Sequence, residues 1–272
     1  MMGTTIAAAA MSAALLAIGG TPANAGQVVA GFNANTLPAN DDGSTGFVSF
    51  GLTLDFFGTS YTGGFVNNNG NVTFGGPLST FTPFPIVSNG LPMLAPFFAD
   101  VDTRGAGSQL VTYGTGTFGG NATFGVNWVD VGYYPAAYDK LNSFQLLIVD
   151  RSDIAAGDAD IYFNYDQIQW ETGGASGGSS GLGGNSARAG LTNGTGFAYE
   201  LPGAAINGAY LDSGPDALID SSNVNDPGRW IFQVRNGTVQ PPTGVPEPAS
   251  FALLGAGLLG LGMVRRRRAS GH

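Results

Sequence analysis

Between residues 26 and 244 no apolar pattern of helical period is sustained, and the chain carries 45 Gly and 15 Pro. Both residue types interrupt helices, glycine through backbone freedom and proline through its missing N–H, so the body is driven toward short extended segments joined by turns. Its apolar runs favour Phe, Val, Tyr, Thr and Ile, whose flat or branched side chains suit a pleated, half-buried surface. Roughly ten such runs with turn signals between them predict an all-β fold, an antiparallel β-sandwich or barrel-like single domain.

Three stretches carry local detail. In YTGGFVNNNGNVTFGG, the runs Tyr61 to Val66 and Asn71 to Phe74 flank Asn67-Asn68-Asn69-Gly70. Asn and Gly tolerate positive φ, so a hairpin is expected there with the asparagines as turn formers. The segment from Met93 to Thr103 reads as a strand whose alternation places Phe97, Ala99 and Val101 on one face and Asp100, Asp102 and Arg104 on the other. The block from Leu141 to Gly173 reads as two strands joined by a turn between Ser152 and Ala159. In its second strand Ile161, Phe163 and Tyr165 alternate, then Ile168 and Trp170 continue in the opposite phase, which predicts a bulge near Asp166 and Gln167. The following TGGASGGSSGLGGNS reads by composition as a flexible loop with little to bury. It lacks the Lys-Ser/Thr ending of a phosphate cradle.

The inventory of reactive side chains narrows function. The chain holds no cysteine, and its one histidine is His272. A body without thiol or imidazole excludes Ser-His-Asp and Cys-His nucleophilic machinery, His- or thiolate-ligated zinc, and disulfide staples. Of the 19 acidic residues only Glu247 lies beyond residue 244, and four of the 10 basic residues are Arg265 to Arg268, so the body has 18 acids against 6 bases. Such a surface repels phosphate backbones, which argues against nucleic acid as a partner and leaves cations as plausible ones.

Two acidic groups are candidates for chemistry. Asp100 and Asp102 share a strand face at a spacing of about 7 Å, compatible with acid and base work on a glycoside. Arg104 continues that face, so a structural ion pair among Asp100, Asp102 and Arg104 explains the three more simply. Asp150, Asp153, Asp158 and Asp160 crowd one turn, and several carboxylates converging from a loop are what calcium needs, although the EF-hand order is missing. Calcium is the one cofactor the sequence raises.

Both ends are apolar. Ile6 to Ile18 followed by the small-x-small Ala23-Asn24-Ala25 predicts a secretory signal over 1–25, cleaved after Ala25. Residues 238–248 form a Pro-rich linker, and 249–272 hold 16 uncharged residues followed by an arginine cluster. As a helix those 16 residues span about 24 Å, enough for residence in the inner membrane with the arginines on the cytoplasmic side.

The tail resembles the PEP-CTERM sorting signal: Val245, Pro246, Glu247 and Pro248, a Leu/Gly/Ala-rich span, then Arg265, Arg266, Arg267 and Arg268. The resemblance implies an exosortase as processing partner, transient inner-membrane anchoring in a Gram-negative bacterium, and delivery to the cell surface or extracellular matrix. The body, over 26–237, resembles the nidogen-like (NIDO) extracellular domain. The likeness is carried by FFGTSYTGGFVNNNGNVTFGG, LPMLAPFFADVDTR, the NSFQLLIVDRSD to ARAGLTNGTG series and GRWIFQVRNG. It implies a non-enzymatic role in cell–matrix adhesion or in association with exopolysaccharide and biofilm. The alternatives kept open are a carboxylate-dependent glycan hydrolase and a calcium-dependent lectin.

Overall fold

The structure, a computed structural model, describes residues 26–87 and 90–240. The expected signal, the PEP motif and the apolar tail lie outside the described residues. Among the described residues thirteen strands follow one another as β1 (Asn35–Thr36), β2 (Val48–Phe56), β3 (Thr59–Asn67), β4 (Asn71–Thr73), β5 (Met93–Phe98), β6 (Thr112–Phe118) and β7 (Asn121–Tyr133), then β8 (Ala137–Asp150), β9 (Ala159–Ile168), β10 (Arg188–Thr192), β11 (Ala198–Glu200), β12 (Arg229–Arg235) and β13 (Thr238–Val239). They form two sheets, a seven-stranded one ordered β1-β6-β7-β8-β9-β12-β13 and a six-stranded one ordered β11-β10-β5-β4-β3-β2. Every strand pairing within them is antiparallel. Two stacked sheets resolve the alternatives left by the sequence in favour of a sandwich.

Alternation builds the layer between the sheets. Phe50, Leu54, Phe56, Val66, Val72, Leu94 and Phe97 from one sheet join Phe124, Val126, Trp128, Phe144, Leu146, Ile148, Ile161 and Phe163 from the other in one core. β8 is buried on successive residues because its opposite face is covered as well: Leu147 and Val149 pack under Phe32 from the N-terminal segment. The outer face of β5 is sealed likewise, with Met93, Ala95 and Phe98 packed against Ile86, Leu78 and Phe84 of the segment after β4, which holds Pro77, Pro83 and Pro85. At one end of the sandwich the core closes in an aromatic column. Trp128 stacks on Phe144 with ring centroids 5.2 Å apart, and Phe97 meets Phe144 at 5.2 Å and Trp170 edge-on at 5.6 Å. Truncating Phe97 to alanine there would cost about 3–5 kcal/mol.

The expected hairpin and bulge both form. Asn67 pairs with Asn71 across the β3–β4 turn. Phe144 faces Tyr165 and Ser143 faces Gln167, so Asp166 is the extra residue of the bulge; its carboxylate accepts the Val28 N–H at 2.7 Å. The Gly/Ser-rich segment departs from its expected reading. Glu171, Thr172, Ser176 and Ser186 are buried, and a short 3₁₀ turn covers Gly174–Ser176. The amide of Gly174 donates to Tyr134 O at 2.8 Å, and that of Asn185 to Ser176 O at 2.9 Å. Composition misleads here because glycine serves close approach: a Cβ on Gly173 would lie 2.3 Å from Asp100 Oδ2.

Candidate functional site

The column of Phe97, Phe144 and Trp170 supports the end of the sandwich where three separate segments meet. One is the loop 40–44, in which Gly43 N donates to Asn40 Oδ1 at 2.6 Å, an Asx-type turn that presents Asp41 and Asp42. Another is the asparagine turn. Gly70 adopts φ 75°, and a Cβ there would fall 1.7 Å from Phe97 O, so only glycine lets the turn tuck against β5. The last is 99–104, the continuation of β5.

Buried amides lock these segments together. Asn68 Nδ2 donates to Val101 O at 2.6 Å and to Asp41 O at 2.5 Å, while its own carbonyl accepts Trp128 Nε1–H at 3.0 Å. Asn69 Oδ1 accepts Val101 N–H at 2.9 Å, and Asn69 Nδ2 donates to Asp42 Oδ1 at 2.8 Å. Asn40 and Thr103 are doubly bonded, Asn40 N to Thr103 Oγ1 at 3.0 Å and Thr103 N to Asn40 O at 2.9 Å. The asparagines are therefore turn formers, as expected, and also the braces of this end. Each side chain replaces water for a buried backbone group that would otherwise cost about 1–3 kcal/mol unpaired.

Within this frame one carboxylate oxygen from each of Asp41, Asp42 and Asp100 lies within 4.8 Å of the others. Asp100 is 1% exposed. Its Oδ2 and the Oδ1 of Asp41 have no hydrogen-bond partner among the described residues. Burial, and then the negative charges of Asp41, Asp42 and Asp102, push the Asp100 carboxyl up to about 7, against a smaller pull from the Ser176 amide. Burial and the charges of Asp102 and Asp42 push Asp41 up to about 6, with Arg104 acting the other way. Asp102 goes in the opposite direction. Burial opposes its charge, but the Arg104 guanidinium and the amides of Arg104 and Ala136 outweigh it and hold the carboxyl below the usual range.

The three residues grouped from the sequence thus divide. Arg104 Nη2 pairs with Asp102 Oδ2 at 2.6 Å and with Asp41 Oδ2 at 2.9 Å, while Asp100 takes no part in a salt bridge among the described residues. Asp41 and Asp42 were not singled out by the sequence reading. The only local signal was the acidic pair itself, 58 residues before Asp100 in the chain and joined to it by topology.

The acidic turn between β8 and β9 is arranged differently. Asp153 is gripped by Arg151 at 2.9 Å, and Asp160 is shared between Arg151 and Arg235. Asp150 accepts the amide and hydroxyl of Ser152 at 3.1 and 2.7 Å. Asp158 Oδ1 accepts Asn236 N–H at 2.7 Å, and its Oδ2 is left without a partner among the described residues.

Glycan hydrolysis requires an aromatic cleft with two facing carboxyls, and three surface hollows among the described residues lack that lining. A groove of about 540 Å³ is lined by Val28, Val29, Thr36, Gln109, Leu110 and Asn127, among others, without an aromatic or acidic residue. One near Lys140 and Leu211 contains a single acid, Asp212, and one near Phe57 and Tyr61 contains none. Among the described residues no helix is long and apolar enough to cross a membrane.

An antiparallel sandwich braced by buried amides, with neither thiol nor imidazole among its described residues, defines an all-β module. The chain belongs to the nidogen-like domain family, whose profile matches residues 62–117 and 108–236. It is 33% identical to alpha-tectorin of Mus musculus and of Homo sapiens over 247 residues, covering 80% of this chain and 11% of each of those proteins. It is 26% identical to nidogen of Drosophila melanogaster over 207 residues, 66% of this chain and 14% of that one. It thus spans a small fraction of the length of these relatives. No solved structure matches it. The profile of the PEP-CTERM protein-sorting motif matches residues 244–268. Together the two matches make this an exported surface protein with a sorting tail.

Proposed function

We propose that this chain is a non-catalytic surface module that associates with extracellular polysaccharide or other matrix components and thereby serves adhesion or biofilm structure. In this reading residues 1–25 direct export, the tail at 249–272 holds the protein briefly in the inner membrane, and an exosortase processes it near Pro246-Glu247-Pro248. The observation that carries the reading is the joining of a nidogen-like domain to a sorting motif on one chain. The relatives named alpha-tectorin and nidogen support it. So does the absence of the usual nucleophile–base pairs from the residue inventory.

Mass spectrometry of the protein recovered from native cells tests the sorting step. A mature C-terminus close to Pro248 is expected, and a tail intact to Gly271 would overturn it. Deleting the gene tests the role, with weakened attachment and altered matrix architecture expected; an unchanged biofilm would overturn adhesion. Sugar release from matrix polysaccharide, abolished by a single aspartate replacement, would replace the reading with a hydrolase.

A further inference from the structure

We propose that Asp41, Asp42 and Asp100 form a calcium site that clamps the loop 40–44 to the end of β5. The geometry suits one ion. Ligand oxygens on opposite sides of a calcium ion, each about 2.4 Å away, stand about 4.8 Å apart, and the three carboxylates supply oxygens within 4.8 Å of one another. Two of the three residues have an oxygen with no hydrogen-bond partner among the described residues, Asp100 Oδ2 and Asp41 Oδ1, and Asp100 is 1% exposed. A buried carboxylate with a free lone pair beside two others is a repulsive arrangement that a protein keeps only where something positive completes it.

The nearest fixed cation does not complete it. Arg104 is spent on Asp102 and on the Oδ2 of Asp41, so four carboxylates share one guanidinium. The donors are all hard oxygens, and the described residues contain no His or Cys, which selects calcium or magnesium over zinc or copper. The ligands come from two segments of irregular backbone, 41–42 and 100, held by Asn68, Asn69 and Thr103. Calcium accepts such irregular spheres and fills the remaining positions with water, whereas magnesium demands a near-ideal octahedron at shorter distances. Gly173 forms a wall of the site, since a Cβ there would meet Asp100 Oδ2 at 2.3 Å. The inference stands on this geometry and not on the adhesive role, so either can fail alone.

The test uses the full-length chain in detergent, stripped with chelator and then titrated with calcium chloride. One bound calcium per chain by equilibrium dialysis is expected, with a midpoint in the range of about 0.1–1 mM typical of extracellular modules and a rise in Tm of roughly 5 °C at saturation. Asp100→Asn and Asp42→Asn should each weaken calcium binding at least ~10-fold by removing a charged ligand, whereas Asp153→Asn should leave it unchanged. Asp42→Asn keeps an oxygen for Asn69 Nδ2, so its folding is preserved and its loss of binding is informative on its own. No bound calcium at about 5 mM, an equal rise with magnesium, or wild-type affinity in both Asp42→Asn and Asp100→Asn would overturn the proposal.

Discussion

The molecule has two acid-rich regions, one crowded in the sequence and one assembled by the fold, and the fold treats them in opposite ways. At the β8–β9 turn the carboxylates of Asp153 and Asp160 meet Arg151 and Arg235, so the charge of these two is neutralised within the protein, while Asp158 meets only the Asn236 amide among the described residues. At the end of β5, Asp41, Asp42 and Asp100 converge while the one arginine nearby is bound to Asp102 and Asp41. Local crowding of acids is therefore a poor guide to where charge is left uncompensated. What decides it is whether distant chain delivers a cation, and Arg235 reaches Asp160 from 75 residues away.

The sharpest way to break the second region without touching its charges is at the turn that braces it. Gly70→Ala puts a methyl into the Phe97 carbonyl at 1.7 Å and forces a left-handed backbone on a residue with a Cβ. Both partners are backbone and neither can rotate away, so a loss of about 3 kcal/mol or more is expected, read as a fall in Tm of roughly 6–12 °C. A fall of under about 2 °C would mean that the asparagine turn is not the brace described.

A single chemical change made in both regions then compares them directly. Asp160→Asn leaves two guanidiniums facing one neutral carbonyl, and about 2 kcal/mol should be lost, or roughly 4–8 °C in Tm. Asp100→Asn, measured in chelator, should act with the opposite sign. It removes a buried charge that has no cation, and its amide can donate to the neighbouring carboxylates, so a gain of about 1 kcal/mol is expected in thermal unfolding at pH 8. The same sign for both replacements would show that the two regions are equivalent after all.

How much of this was legible beforehand follows from the range of the interactions involved. The β3–β4 hairpin depends on Asn67 to Gly70 alone, and the bulge at Asp166 on a phase slip between Tyr165 and Ile168, so both could be read from a dozen residues. The acidic cluster could not, because Asp42 and Asp100 are brought together only by the turn at Asn68 and Asn69, which has to be folded first. The Gly/Ser-rich segment was misread for a related reason. Composition reports how little a residue can bury, and says nothing of a backbone that glycine allows to pass within contact distance of Asp100 or Ser176.

Glu171, just before that segment, provides the smallest and finest test. It is a buried acid satisfied by neither arginine nor cation: its two oxygens accept the amides of Gly208 and Tyr210 at 2.6 Å each. Burial raises its pKa, and hydrogen bonding, led by these two amides, recovers only part of the shift. A carboxyl whose pKa is higher folded than unfolded gives a stabilising contribution that is complete below the unfolded value, about 4.5, and is lost as pH rises through the folded one. Glu171→Gln removes that dependence and substitutes a constant offset, since the amide cannot accept from both N–H groups. The difference in Tm between wild type and Glu171→Gln should therefore be most favourable to wild type near pH 4 and shrink steadily toward neutrality. A difference that stays flat, or grows with pH, would mean that the two amides outweigh burial and that peptide dipoles alone neutralise an acid here as well as the arginines do at Asp160.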